Sequence, residues 1–303
     1  MDSREPRVAR RPDGRLALRM TDEPLIRDVS DTARWMAAYR AQETDRPDAA
    51  FRDPFARALA GERGERIAKA MTAFGDYSWA LIARTYLFDR YVTRLVKHGV
   101  DLIVNLAAGL DTRPYRMELP ASLRWVEVDL PEILDYKESI LGDATPVCEF
   151  ERVRLDLSNA DARRGLFDRL GRGSERAAIL AEGLLIYLMP YEVGALAEDL
   201  ARPASFQHWV VDLVSPALLE MMKQMAGGAT HMAGAPFLFA PAEGPPFFTP
   251  HGWTPAEVRT TLKTAGKLGR LPFMMRAFAL LPESDAPRGN TPWSAVCLLA
   301  RKH

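Results

Sequence analysis

The chain has 303 residues, 48% of them hydrophobic and 26% charged, with 40 basic and 40 acidic side chains. That balance excludes a disordered or fibrous protein, and it gives no global electrostatic case for a nucleic-acid or membrane partner. The length suits one α/β domain with elaborations and a sizeable core. Cys148 and Cys297 are too few and too far apart for a disulfide framework. No apolar run reaches the ~20 residues of a membrane span, and the N-terminus lacks the apolar core of a signal peptide. A cytoplasmic protein, monomer or homodimer, is the expectation.

In chain order, REPRVARRPDGR opens with five arginines between Arg4 and Arg15 and reads as a solvated arm. Three stretches follow with apolar residues at helical spacing: DVSDTARWMAAYRAQET, DPFARALAGERGERIAKAM and YSWALIARTYLFDRYVTRLVKHG. Asp28 or Ser30 can cap the first, and Gly99 can stop the third, because glycine accepts the left-handed conformation at a helix end. These helices make residues 1–98 an N-terminal cap.

Residues 99–214 then alternate between strand and helix. VDLIVNLAA, LRWVEVDLP, AAILAEGLLIYL and HWVVDLV read as strands. PEILDYKESILGD, NADARRGLFDRLG and PYEVGALAEDLARPA read as helices between them. The spacing suits βαβ units, and the near-continuous apolar runs suit a sheet covered on both faces. The expected fold is α/β, a doubly wound and mostly parallel Rossmann-like sheet in a single domain.

After Val214 the alternation lapses. Residues 215–250 hold a Met-, Gly-, Pro- and Phe-rich insertion that can be read as a mobile cover between Gly227–Gly228 and Pro245–Pro246. It can equally be read as a poorly periodic core helix followed by a loop. Within 251–303, HGWTPAEVRTTLKTAG reads as a helix capped by Thr254 with Pro255 at its first position. WSAVCLLARK closes the sheet as a strand.

Chemistry concentrates at the strand ends, where open α/β sheets bind ligands. In VNLAAGLDTRPYR, the small residues Ala107, Ala108 and Gly109 let the backbone approach a ligand. The G-x-G-x-x-G of a dinucleotide site is missing, and Asp111 disfavours an anionic pyrophosphate while favouring a cationic ligand. Asp129 ends the next strand 20 positions after Gly109, where the ribose hydroxyls of a nucleoside lie; Glu127 competes for that role. In VRLDLSN, Asp156 and the Leu157 amide offer the acceptor and donor that an adenine edge requires, although Asp before Ser-Asn is also a helix-cap signal. Glu182 sits in an apolar run and must face a cleft or a cation.

A cationic nucleoside without phosphates suggests S-adenosylmethionine. With VNLAAGLDTRPYR, VEVDLPEIL, RLDLSN, AEGLLIYL and the arginine of ALIARTYLFD in this order, the chain resembles class I methyltransferases of the leucine carboxyl methyltransferase type. The bacterial polyketide methyltransferases grouped with them share the resemblance, which covers roughly residues 20–200, with HGW at 251–253 as a weaker late match. It implies that Arg84 pairs with the methionine carboxylate and that Ala107 to Gly109 lie under the methionine. Asp129, followed by Leu130, would hold the ribose, Asp156 and Leu157 the adenine, and Glu182 with Gly183 the ammonium side. Ala107 departs from the first glycine of the broader class, and Asn105 from its leading acid. No metal is implied.

The expected activity is O-methylation of a carboxylate or phenol on an apolar small molecule. A carboxylate is already ionised near neutral pH and needs no general base, whereas a phenol benefits from one. Tyr187 can orient a substrate oxygen, and His251 and His231 are the candidate bases. The alternatives are methylation of a protein C-terminus, non-catalytic binding of the cofactor, and an NAD-dependent oxidoreductase, which the missing glycine fingerprint disfavours.

Overall fold

The computed structural model describes residues 26–72, 77–225, 236–280 and 291–302. The arginine-rich opening, the Gly227–Gly228 pair and His231 fall outside these residues. The described chain builds one seven-stranded sheet from β1 (Leu102–Leu106), β2 (Arg124–Asp129), β3 (Glu149–Arg154), β4 (Ala177–Ala181), β5 (Phe206–Val214), β6 (Trp253–Thr260) and β7 (Ser294–Arg301). The strand order is β3-β2-β1-β4-β5-β7-β6. The first five strands are parallel, and β7 runs antiparallel to both β5 and β6. The order reverses between β1 and β4, which opens the ligand crevice of a doubly wound sheet at their carboxyl ends.

Side chains alternate across the sheet, so each inner strand feeds two cores. Leu102, Val104 and Leu106 of β1 join Phe167, Leu196 and Trp209 on one face. Ile103 of the same strand joins Phe88, Tyr91 and Trp125 on the other. The covering helices are α3 (Ser78–Lys97), α5 (Pro131–Leu141), α6 (Ala160–Arg172) and α7 (Pro190–Ala201). A short turn of helix, α4 (Arg113–Arg116), follows β1.

The N-terminal cap consists of α1 (Val29–Thr44), α2 (Ala56–Thr72) and α3, the last of which also covers the sheet. Asp28 caps α1 by accepting a bond from the Asp31 amide (3.0 Å). Gly61 breaks α2 at φ +56°, a conformation in which glycine meets no Cβ penalty. Gly99 ends α3 with φ +87°, as the sequence suggests.

Two expectations are corrected. The run AAILAEGLLIYL is not one strand: β4 stops at Ala181, Gly183 turns the chain at φ +71°, and Leu185–Tyr187 form a single 3-10 turn. HGWTPAEVRT is not a helix start but β6, with Trp253 buried and its indole N–H donating to the Ala197 carbonyl (2.9 Å). Pairing along β7 overrides the Thr-Pro helix signal. Pro255 is tolerated because β6 is an edge strand with a register shift between Pro255 and Glu257. The helix begins only at α9 (Thr261–Lys267). The late insertion opens with α8 (Pro216–Met225).

Gly64 sets the spacing of the cap, since a Cβ there would sit 2.5 Å from the Arg34 carbonyl oxygen on α1. Gly64→Ala is expected to cost about 1–3 kcal/mol by forcing the helices apart, read as a melting temperature lower by at least about 2–4 °C. Gly165→Ala on α6, where a Cβ meets nothing within 4 Å, is expected to leave the melting temperature unchanged or raise it, because alanine favours helix. Equal losses in both variants would refute this role for Gly64.

Candidate active site

A cavity of about 1200 Å³ lies at the carboxyl ends of β1, β2, β4 and β5 and runs beneath α1, α8 and α9. Its volume exceeds the ~300–1,000 Å³ of a typical single-ligand pocket. One part of the wall is polar and formed by strand ends. The rest is mostly apolar and includes Trp35, Met71, Trp79, Met222 and Phe237.

The loop after β1 is tightly bent. Ala107 holds φ +48° and Gly109 φ +50°, so Ala107 adopts the left-handed conformation that the glycine it replaces would take freely, at a cost of roughly 1–2 kcal/mol. The Gly109 amide donates to Asp129 Oδ2 (2.6 Å) and the Leu130 amide to Asp129 Oδ1 (2.8 Å). Each oxygen keeps a lone pair for a ligand hydroxyl. Burial pushes the Asp129 carboxyl up despite these two amides. Glu127 points elsewhere: it is fully buried against Lys137 Nζ (2.6 Å) and Arg152 Nε (3.3 Å) and does not line the cavity. Of the two acids on β2, only Asp129 is available to a ligand.

Below the loop, a chain of ion pairs ties four segments together. Arg113 is buried and donates to Asp89 of α3 (2.7 Å), to Asp111 (2.7 Å) and to Glu182 after β4 (2.8 Å). Arg116 donates to Asp89 with both terminal nitrogens (2.8 Å each). Arg84 of α3 reaches the other Glu182 oxygen (3.2 Å) and Asp212 of β5 (3.1 Å). Asp212 also accepts from the Gly183 amide (2.6 Å). A Cβ on Gly183 would approach Arg84 Nη1 to 3.2 Å, so this glycine serves both the turn and the guanidinium beside it. Three arginines thus meet four carboxylates, a balance that favours a cationic ligand over an anionic one. Asn105 adds its amide to Asp111 (2.8 Å), where an acid would repel it.

The predicted adenine pair is split in character. Asp156 is exposed at the open end of the cavity, its carboxylate accepting from the Ser158 amide (2.9 Å), while the helix cap is Asn159. The Leu157 carbonyl accepts from Arg163 (2.7 Å). Tyr187 lines the cavity with its ring 5.7 Å from Phe237, and burial raises its hydroxyl pKa, so it is a neutral donor near pH 7. His251 is not there: its Nδ1 lies 2.9 Å from Glu198 and its ring packs on Gly194 of α7, outside the cavity. Residue-by-residue reading missed Asp212. An acid inside HWVVDLV carries the same signal that singled out Glu182, a charge in an apolar run.

The network has a measurable stability. Lysine offers one ammonium in place of a three-way guanidinium fork, so Arg113→Lys is expected to cost about 3–5 kcal/mol in urea unfolding by stranding buried carboxylates. Burial opposes the charge of Asp111, but Arg113, Lys137 and Arg116 outweigh it and hold this carboxyl well below the usual range. A carboxyl depressed in the folded state stabilises fully above its unfolded value, about 3.9, and loses that effect as pH falls. Asp111→Asn should therefore lower stability at pH 7 and flatten the loss below about pH 4. An unchanged acid limb would contradict this assignment.

The chain matches the family described as leucine carboxyl methyltransferase over residues 33–201. It is 33% identical over 265 residues to a Frankia alni protein named "Putative S-adenosyl-L-methionine-dependent methyltransferase", with 80% of this chain and 89% of that one covered. A Mycobacteroides abscessus protein of the same name is 36% identical over 177 residues, covering 53% of this chain and 57% of that one. The fold is shared with a Thermobifida fusca structure titled as a "putative methyltransferase", with a TM-score of 0.59, 15% identity and coverage of 94% and 97%. A DUF574 family protein from Streptomyces avermitilis gives 0.56 at 13% identity, with 88% and 97% covered. The family match spans more than half of the chain, from the first cap helix through α7, and with it the loop after β1, Asp129, Glu182 and the arginines that hold Glu182: the protein belongs to the leucine carboxyl methyltransferase family.

Proposed function

We propose that the protein is an S-adenosylmethionine-dependent O-methyltransferase acting on an apolar small molecule at a carboxylate or phenolic oxygen. The observation that carries this reading is the continuity of one cavity from the strand-end acids to the apolar wall of Trp35, Met71, Trp79 and Phe237. The donor set fits the cofactor. Asp129 retains acceptor capacity for two ribose hydroxyls, and the excess of carboxylates around Arg84 and Arg113 suits a ligand that carries both a sulfonium and an ammonium.

In this reading Asp129, next to Leu130, holds the ribose, and Asp156 with the Leu157 amide faces the adenine. The left-handed turn from Ala107 to Gly109 brings backbone under the methionine. Glu182, already anchored by Arg84 and Arg113, accepts from the ammonium, and the Gly183 backbone leaves room beside it. Among the described residues Arg84 directs Nη2 only at the Met36 thioether (3.4 Å), so that nitrogen serves the amino-acid carboxylate. When bound, the cofactor supplies a methyl group activated on positive sulfur. Tyr187 donates to the acceptor and orients its oxygen, while the aromatic wall excludes water. Alignment and desolvation of this kind can supply up to ~7–11 kcal/mol, and an ionised carboxylate needs no base.

Calorimetry with S-adenosylhomocysteine tests the cofactor half: micromolar or tighter binding is expected, and Asp129→Ala should weaken it by about a hundredfold or more, as expected for the loss of charge-assisted bonds to two hydroxyls. Binding of NADH in its place would overturn the reading. Incubation with methyl-labelled cofactor and a panel of aromatic acids, phenols and peptides tests the acceptor. Alkali-labile label indicates a carboxyl ester and alkali-stable label a phenol ether, whereas label found only on peptides refutes a small-molecule acceptor.

A further inference from the structure

Among the described residues, six cations line the cavity: Arg40, Arg84, Arg113, Arg116, Arg163 and Lys263. Every arginine among them is neutralised. Arg40 meets Asp53 at 2.8 Å, Arg84 meets Asp212 at 3.1 Å, Arg113 and Arg116 meet Asp89 at 2.7 and 2.8 Å, and Arg163 meets Asp199 at 2.9 Å. Lys263 differs. Among the described residues no carboxylate pairs with it, and no hydrogen bond engages its ammonium.

Its place in the wall makes that difference consequential. Lys263 stands half-buried on α9, and its neighbour Leu262 packs with Met275 against the cluster of Trp79, Ala265 and Leu271. Trp79, Leu262 and Met275 line the cavity together with Lys263, so apolar side chains stand beside its ammonium-bearing side chain. A charge beside apolar walls is less screened than one in bulk water, so an unpaired ammonium there attracts an anion strongly. That anion is unlike the methyl-accepting oxygen in one respect. Pairing with an ammonium withdraws electron density from an oxygen nucleophile, so productive binding places the ammonium on a different group.

We propose that Lys263 is a specificity-determining residue that pairs with an anionic group of the acceptor distinct from the oxygen that is methylated. The acceptor is then an apolar, aromatic-compatible molecule with at least two oxygen functions, one of them ionised. This rests on the reading of the apolar wall as the acceptor site.

The test compares 1-hydroxy-2-naphthoic acid with its neutral primary amide, by calorimetry on protein saturated with S-adenosylhomocysteine. The unaltered protein should bind the acid about tenfold more tightly than the amide, as an ion pair in a partly desolvated site provides. Lys263→Met should bring the two within about threefold by weakening the acid alone, and Lys263→Arg should restore most of the preference. Affinity for S-adenosylhomocysteine and the melting temperature should stay the same in both variants. The proposal is overturned if the unaltered protein shows no preference for the acid, if Lys263→Met keeps the preference, or if that variant loses S-adenosylhomocysteine. Failure of the methyltransferase reading shows separately, as absence of S-adenosylhomocysteine binding to the unaltered protein; the acid and amide are then compared without it.

Discussion

The cavity exists in its observed form because one buried guanidinium, that of Arg113, is held by three carboxylates from three parts of the chain. Desolvating a cation is costly, and only close partners with good geometry offset it. The partners are Asp89 on the last cap helix, Asp111 in the loop after β1, and Glu182 after β4. Cap, loop and sheet are therefore fastened at a single point. Arg84 extends the fastening to Asp212 on β5, so the polar part of the cavity wall has little freedom to rearrange. A rigid array of acids suits a cationic ligand because its dipoles and charges need no reorientation when the ligand arrives.

On β2, two acids of similar sequence context are put to different uses. Glu127 and Asp129 are two residues apart, yet Glu127 ends in a dry pair with Lys137 while Asp129 sits at the strand's end on two amides. Depth in the sheet makes the difference: one lies inside the layer of covering helices, the other at its rim. Lys137 is completely buried, and its charge also helps to hold Asp111 ionised. The buried pair thus supports the loop electrostatically without lining the cavity.

Much of this was legible in the residues. The strand-helix alternation from Gly99 to Val214, the Asp28 cap, the stop at Gly99 and the acids at strand ends follow from local pattern and appear in the fold. Glu182 was recognisable as a charge in need of a cation, although which cation was not. That answer depends on α3 and α4 meeting over β4, a long-range arrangement no local period encodes. Local pattern also misled in two places. The TP of HGWTPAEVRT looks like a helix start, but pairing with β7 makes it strand, and the run through Tyr187 looks like one strand, but Gly183 bends it away. His251 stands close in sequence to the end of the insertion, yet a 3-10 segment turns it toward α7 instead of the cavity.

The pleated edges of the sheet set a boundary on how copies of this chain can meet. At the β6 edge, Pro255 lacks an amide hydrogen and the register shift interrupts the row of free backbone groups. At the other edge, β3 carries Glu149, Glu151, Arg152 and Arg154, charges that an incoming strand would have to cover. Neither margin offers a ladder that another backbone can continue. Self-association in this protein is thereby directed to helix surfaces, and the sheet is protected from growing into an extended aggregate.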